Sequence, residues 1–321
     1  MTQQRPARHT TAPVAPTTIR DRVLDRVETR IGDLLTAEHR HWAVADRHAA
    51  ALISDVATIV RGSGDRIRPV LLLTGYLAAG GDPDAPAAVD AAAALELLDT
   101  CWTIRGDTRD GAVLRRGLPT LHVSHAAEHE RNGWQGESRR FGVHTAVLAG
   151  DLALTFADRL GATLPAPART RWERLRTERV LGAHGASAAR AAYRDDPWPG
   201  SCVAGSCAGG CAAGWYAVAQ PLLLGAELAG RRDLAEAYGA YGAKVHAAWR
   251  LHGFLTGGPD FGDGADLMRE LLFDDRQRRE ARELAAELAT AAGAVARRAP
   301  LPVAWRTELA SLATRASGTA A

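Results

Sequence analysis

Apolar residues recur at helical spacing almost from one end of this chain to the other, and that recurrence is what most restricts its fold. In TTIRDRVLDRVETRIGDLL a threonine cap precedes Val23, Val27, Ile31 and Leu34, each about one helical repeat from the last. Further helices are expected around 41–60, 67–79, 86–104, 119–131, 141–160, 169–193, 207–229, 232–256, 265–273, 275–298 and 303–316. Breakers such as GSGD, GGDPDAP, GATLPAPA, DDPWPG and GGPDFGDG separate them. No run alternates every second residue with β-branched enrichment, so no strands are expected. There is no internal repeat and no linker long enough to divide the chain. It reads as one all-α domain over residues 19–316, between a disordered tail at 1–18 and a short one at 317–321.

Composition narrows the functional classes. The 321 residues suffice for a large buried core, and the hydrophobic share of 46% with 24% charged residues is that of a soluble globular protein. A net charge of +2 gives no reason to expect nucleic acid as a partner. Four cysteines are too few for a disulfide scaffold, which points to the cytoplasm. The stretch MTQQRPARHTTAPVAPTT has no apolar run behind its basic residues and does not read as a signal peptide. Residues 200–226 carry no charge and are long enough to cross a bilayer. They are also rich in Gly and Ala and hold Gln220 and Pro221, which suits a helix buried in a bundle, so no transmembrane segment is expected. Only Lys244 among 39 basic residues is lysine. Codon bias of that kind replaces Lys by Arg, but it does not replace Lys by Asp.

Chemistry concentrates in LLDTCWTIRGDTRDGAVLRRGLPTLH, residues 97–122. Asp107 and Asp110 share a helix face and offer hard oxygen ligands to one cation. Arg115 and Arg116 follow, and guanidinium forks suit diphosphate oxygens. Upstream, GSGDRIRP places Arg66 and Arg68 at a helix N-terminus, a favoured seat for anions. The plainer alternative is that Arg105, Asp107, Arg109 and Asp110 simply neutralise one another. His122, His125 and His129 lie on one helix face at zinc-ligand spacing, although solvent-side histidines give the same pattern. The cysteines of CVAGSCAGGC match no metal signature.

Four ordered blocks resemble the trans-isoprenyl diphosphate synthases, or polyprenyl synthetases, with the actinobacterial branch nearest. They are GSGDRIRPVLLL, ALELLDTCWTIRGDTRDGAVLRRGLPTLH, FGVHTAVLAGDLALTFAD and AAGWYAVAQPLLLGAELAG, and the likeness runs from about residue 20 to 300. It implies an all-α bundle around a deep central cavity, commonly dimeric, which ionises an allylic diphosphate with Mg²⁺ and condenses it with isopentenyl diphosphate. Arg68 falls at the arginine that holds isopentenyl diphosphate, and Arg115 and Arg116 at the diphosphate-binding pair. Asp107 and Asp110 fall at two of the three aspartates of the first metal motif, with Gly106 at the remaining one. Cys101 and Trp102 fall at the floor of the hydrocarbon pocket, and Trp102 implies a shallow one.

The resemblance also implies losses. Asp65 stands at a lysine position and Asp99 at a histidine position, while Leu251 and His252 stand where the second metal motif has aspartates. Losing that motif removes roughly half of the metal cage that steadies a departing diphosphate. A reversed charge at about 4 Å with an effective dielectric near 20 is worth on the order of 4 kcal/mol. The expectation is therefore a diverged prenyltransferase-family protein of isoprenoid biosynthesis with a weakened Mg²⁺ site and impaired elongation. It would bind an allylic prenyl diphosphate and act on another acceptor, or act as a cyclase or lyase. Asp65 or Asp99 would serve as base, and no other catalytic residue is assigned. The alternatives are a silent subunit paired with an intact synthase, whether the chain is a homodimer or heterodimer, and unmodified elongation.

Overall fold

Over residues 15–62, 64, 66–191, 215–256 and 274–318, which the computed structural model describes, helix follows helix through short turns. In chain order they are α1 (Pro16–Ala45), α2 (Arg47–Arg61), α3 (Ile67–Ala78), α4 (Pro86–Asp110), α5 (Leu121–Arg131) and α6 (Ser138–Gly161). Then come α7 (Ala166–Ala191), α8 (Gln220–Leu228), α9 (Ala235–Thr256), α10 (Asp275–Arg298) and α11 (Val303–Ala316). A π-helical turn, Trp215–Ala219, runs into α8, and a 3₁₀ turn, Arg232–Leu234, runs into α9. The π turn sits just before Pro221, whose missing N–H breaks the regular ladder. The all-α expectation holds. Pro16 opens α1, so residues 16–18, expected in the tail, are helical; a proline at the first helical position loses nothing because its N–H has no partner there.

One small departure matters for the site. Leu114–Arg115 (β1) and Leu118–Pro119 (β2) pair antiparallel, although no strand was expected. Four residues are too few to show a two-residue alternation. The turn between them has positive φ at both Arg116 (51°) and Gly117 (78°), the geometry whose twist matches a two-residue hairpin.

α4 is the central element. Ala91 to Leu95, Leu97, Leu98 and Cys101 are all buried, and the helix packs against α6, α3 and α1. Small side chains on the facing helix, Ala146, Ala149 and Ala153 of α6, allow that approach. The first and last described helices meet where Arg20 of α1 donates to Glu308 of α11 at 2.6 Å, a buried pair. The described part of the 200–226 stretch is buried by neighbouring helices, and among the described residues no helix is long and apolar enough to cross a membrane. The cysteines at 202, 207 and 211 and the acids Asp195 and Asp196 lie outside the described residues.

The histidine face of α5 does not converge. His122 meets Thr120 at 3.2 Å, His129 meets the Gln135 carbonyl at 3.1 Å, and His125 sits between Asp55 of α2 and Glu128, at 2.9 Å from each. Asp55 and Glu128 together hold the His125 imidazole above its usual value near 6.5. The two carboxylates stabilise the folded state fully below that unfolded value, and the gain is lost as pH rises through the raised folded one. We expect His125→Gln to remove this component, so that stability measured by urea unfolding no longer declines in that window above pH 6.5; an unchanged pH profile would contradict the pairing.

α3 and α8 touch backbone to backbone. A Cβ at Gly75 would stand 2.8 Å from the Leu222 carbonyl oxygen, and Tyr238 donates to the Gly75 carbonyl at 3.0 Å. Gly75→Ala is expected to lower stability by about 1–3 kcal/mol through overpacking, seen as an earlier urea midpoint with unchanged helical circular dichroism.

Candidate active site

One face of α4 carries Glu96, Asp99 and Asp107, and each acid takes an arginine from another element. Glu96, nearly fully buried, holds Arg66 at 2.7 Å. Burial pushes the Glu96 carboxyl up, against the pull of Arg66. Arg66, in a left-handed conformation (φ 48°), also grips Glu28 and the Val60 carbonyl. It is a structural clamp on the loop before α3 and is not presented to a ligand. That clamp fixes the next arginine, Arg68, whose Nη1 lies 2.5 Å from Asp99 Oδ2. Asp65 lies outside the described residues.

At the far end of α4, Asp107 is buried and receives two bonds from Arg115, from Nε at 2.7 Å and Nη2 at 2.6 Å. Asp110 is exposed and held by both arms of Arg109 at 2.7 Å. Arg105 reaches across to Asp151 of α6 at 2.6 Å. Of the expected mutual neutralisation of 105, 107, 109 and 110, the structure shows the Arg109–Asp110 pair, while Arg105 and Asp107 pair with Asp151 and Arg115. A Cβ at Gly106 would meet nothing within 4 Å, so a side chain has room there.

The hairpin splits the arginine pair. Arg115, on the strand, turns to Asp107, whereas Arg116, in the turn, donates to the Gly62 carbonyl and lies beside Gly64. One cation therefore stands at the acid face and the other at the loop that leads into α3.

Among the described residues no group of three or more His, Cys, Asp or Glu gathers as a metal site. Asp107 and Asp110 are hard donors fit for magnesium as part of a shell, with both carboxylates engaged by arginines that a cation must displace. Leu251 is buried against Ala281 and Ala285 of α10, and His252 lies against Gly318. Asp274 caps α10 by accepting from the Gln277 N–H at 2.8 Å, which explains that acid structurally.

Cys101 is fully buried, and burial pushes its thiol up to about 11, so it is wall and not nucleophile. Trp102 is partly buried, with the Arg179 guanidinium of α7 4.0 Å from its ring centroid and that of Arg105 at 5.5 Å. Arg179 also stands 5.0 Å from the Tyr216 ring, as does Arg68. His246 of α9 is buried within reach of the Arg68 and Arg250 charges; burial, helped by those charges, pushes its imidazole down to about 4. The sequence reading missed Arg179, Tyr216 and His246. One signal was available: Trp172, Leu175 and Arg179 follow a single helical stripe whose first two members are fully buried, which puts Arg179 on the inward side.

The polyprenyl synthetase family model matches residues 49–181. A probable farnesyl diphosphate synthase from Sinorhizobium fredii is 32% identical over 171 residues, covering 52% of this chain and 43% of that protein. A short chain isoprenyl diphosphate synthase from Methanothermobacter thermautotrophicus is 35% identical over 127 residues, 37% of this chain and 34% of that one. The match thus spans less than half the length of these relatives. The fold extends further. A geranylgeranyl pyrophosphate synthase from Corynebacterium glutamicum, solved with isoprenyl diphosphate and magnesium, superposes with a TM-score of 0.77 at 24% identity, over 93% of this chain and 99% of that one. Residues 49–181 thus match the polyprenyl synthetase family model, and the bundle as a whole shares the fold of the solved geranylgeranyl pyrophosphate synthase.

Proposed function

We propose that this chain is a diverged prenyltransferase that holds an allylic prenyl diphosphate but is impaired in condensing it with isopentenyl diphosphate. The ion pair between Arg68 and Asp99 at 2.5 Å carries the reading. The arginine that the family resemblance assigns to isopentenyl diphosphate already has a carboxylate against it. An incoming diphosphate must displace that carboxylate or stand beside it, and both are unfavourable for a multiply charged anion.

The allylic side keeps more of its machinery. Arg115 and Arg116 bind the diphosphate, and when Arg115 turns to it, Asp107 is released to serve a cation with Asp110. Magnesium there neutralises the charge that grows on a departing diphosphate. Asp99 is the carboxylate placed to take a proton from the acceptor, and Trp102 with Arg179 over its face closes the pocket floor, favouring a short hydrocarbon. The setting is isoprenoid biosynthesis in the cytoplasm, with the bundle as a homodimer.

A second reading has one observation in its favour: both retained metal ligands are already satisfied by arginines, as suits a silent subunit paired with an intact synthase. Incubation with Mg²⁺ and geranyl or farnesyl diphosphate, with and without isopentenyl diphosphate, separates the readings. The expected result is diphosphate release with no elongation. A longer prenyl product refutes impaired elongation, whereas no turnover together with co-purification of an intact synthase supports the silent subunit. Asp99→Asn, which removes the opposing charge at Arg68, is expected to tighten isopentenyl diphosphate binding by about tenfold or more, or about 1.4 kcal/mol; calorimetry showing no gain would remove the central support for the proposal.

A further inference from the structure

Burying a polar group without a partner costs free energy, and burying an uncompensated charge costs more. Three such groups stand around Arg68. Among the described residues the buried Tyr216 hydroxyl finds no hydrogen-bond partner, and neither ring nitrogen of His246 finds one. The Arg179 Nε is likewise buried without an acceptor, and among the described residues no carboxylate pairs with the Arg179 guanidinium. Its neighbours are the faces of Trp102 and Tyr216, and burial lowers its proton affinity. Aromatic faces offset part of a buried cation's desolvation but do not replace an anion.

These groups belong to one place. The guanidinium groups of Arg179 and Arg68 each stand 5.0 Å from the Tyr216 ring centroid, and α9, which carries His246, packs through Gly242 against Ala219 of the same turn, where the charge of Arg68 reaches His246. We propose that Arg179, Tyr216 and His246 form an acceptor site for a singly charged, carboxylate-bearing molecule. The charge count sets the class. Arg68 is matched by Asp99, Arg66 by Glu96 and Glu28, and Arg109 by Asp110; of the two guanidinium groups at the Tyr216 ring, Arg179 is the one with no ion pair among the described residues. One uncompensated positive charge suits one negative charge. A diphosphate would bring several into a corner that already holds Glu96 and Asp99. The carboxylate accepts from Arg179 and the Tyr216 hydroxyl, and the neutral imidazole of His246 supplies a further donor.

As an acceptor site this rests on the proposed prenyltransferase reading, but binding is measurable without turnover, so the two fail separately. The full-length protein is titrated calorimetrically, without magnesium, with benzoate and with inorganic diphosphate. Benzoate is expected to bind once per chain and more tightly than metal-free diphosphate. Arg179→Gln should weaken benzoate by about tenfold or more, the scale of a lost charge-assisted hydrogen bond. Arg179→Lys should retain part of the affinity, and Tyr216→Phe should lose several-fold. Magnesium-dependent diphosphate binding through the hairpin should survive Arg179→Gln. No saturable benzoate binding to the unaltered protein overturns the proposal, as does equal binding to Arg179→Gln. Tighter metal-free diphosphate binding that is lost in Arg179→Gln overturns it too, by assigning the cation to a diphosphate. If Arg179→Gln does not fold, Arg179→Lys and Tyr216→Phe decide: benzoate affinity unchanged in both rejects the site.

Discussion

The acids along α4 must be neutralised, and much of the architecture around the candidate site follows from that requirement. α4 runs through the middle of the bundle with its alanine-rich stretch enclosed, so carboxylates on it cannot rely on water. Glu96 draws in Arg66, Asp99 draws in Arg68 and Asp107 draws in Arg115. The first two pairs pin the loop between α2 and α3, and the third pins the hairpin. The positions of both rims are consequences of charges on one helix. The same pairs determine which charges remain for a ligand, since an arginine that holds an acid must be released before it can serve.

The helices were legible because each has an apolar stripe long enough to declare its period. Val23, Val27, Ile31 and Leu34 announce α1, and all four are buried, with Arg20 and Leu35 beside them. α4 was legible by its breakers and not its stripe, since it is enclosed on nearly every side. The hairpin was illegible: its strands are two residues each, and the left-handed turn uses an arginine where sequence patterns look for Asn or Gly. At the site, residue types near the aspartates gave the right helix and the right neighbours but not the pairing. Nothing in the order of Arg105, Asp107, Arg109 and Asp110 says that Asp107 will turn to Arg115 and Arg105 to Asp151. Arg179, Tyr216 and His246 were hidden because they come from three distant segments, and only packing brings them around Arg68.

Shared fold and local chemistry answer different questions here. The bundle is shared with geranylgeranyl pyrophosphate synthases over almost its whole length, at an identity near one residue in four. Such a likeness fixes the course of the helices. It leaves open which charges they carry at any one place. A carboxylate at position 99 against Arg68, a glycine at 106 and a guanidinium at 179 give this bundle its own electrostatic pattern. Specificity is a difference between affinities, and a misplaced negative charge rejects one ligand as effectively as a good contact recruits another.

The backbone contact between Gly75 and Leu222 has a mechanical consequence. α3 is seated on α8 without an intervening side chain, so nothing there can rotate to let it slide. Arg68, in the first turn of α3, therefore sits on a stiff jaw. Across from it, the hairpin reaches its neighbours through the side chains of Arg115, which pairs with Asp107, and Arg116, which donates to the Gly62 carbonyl. The close seat of Arg68's helix and the side-chain contacts of the hairpin thus give the two sides of α4 unlike mechanical resistance.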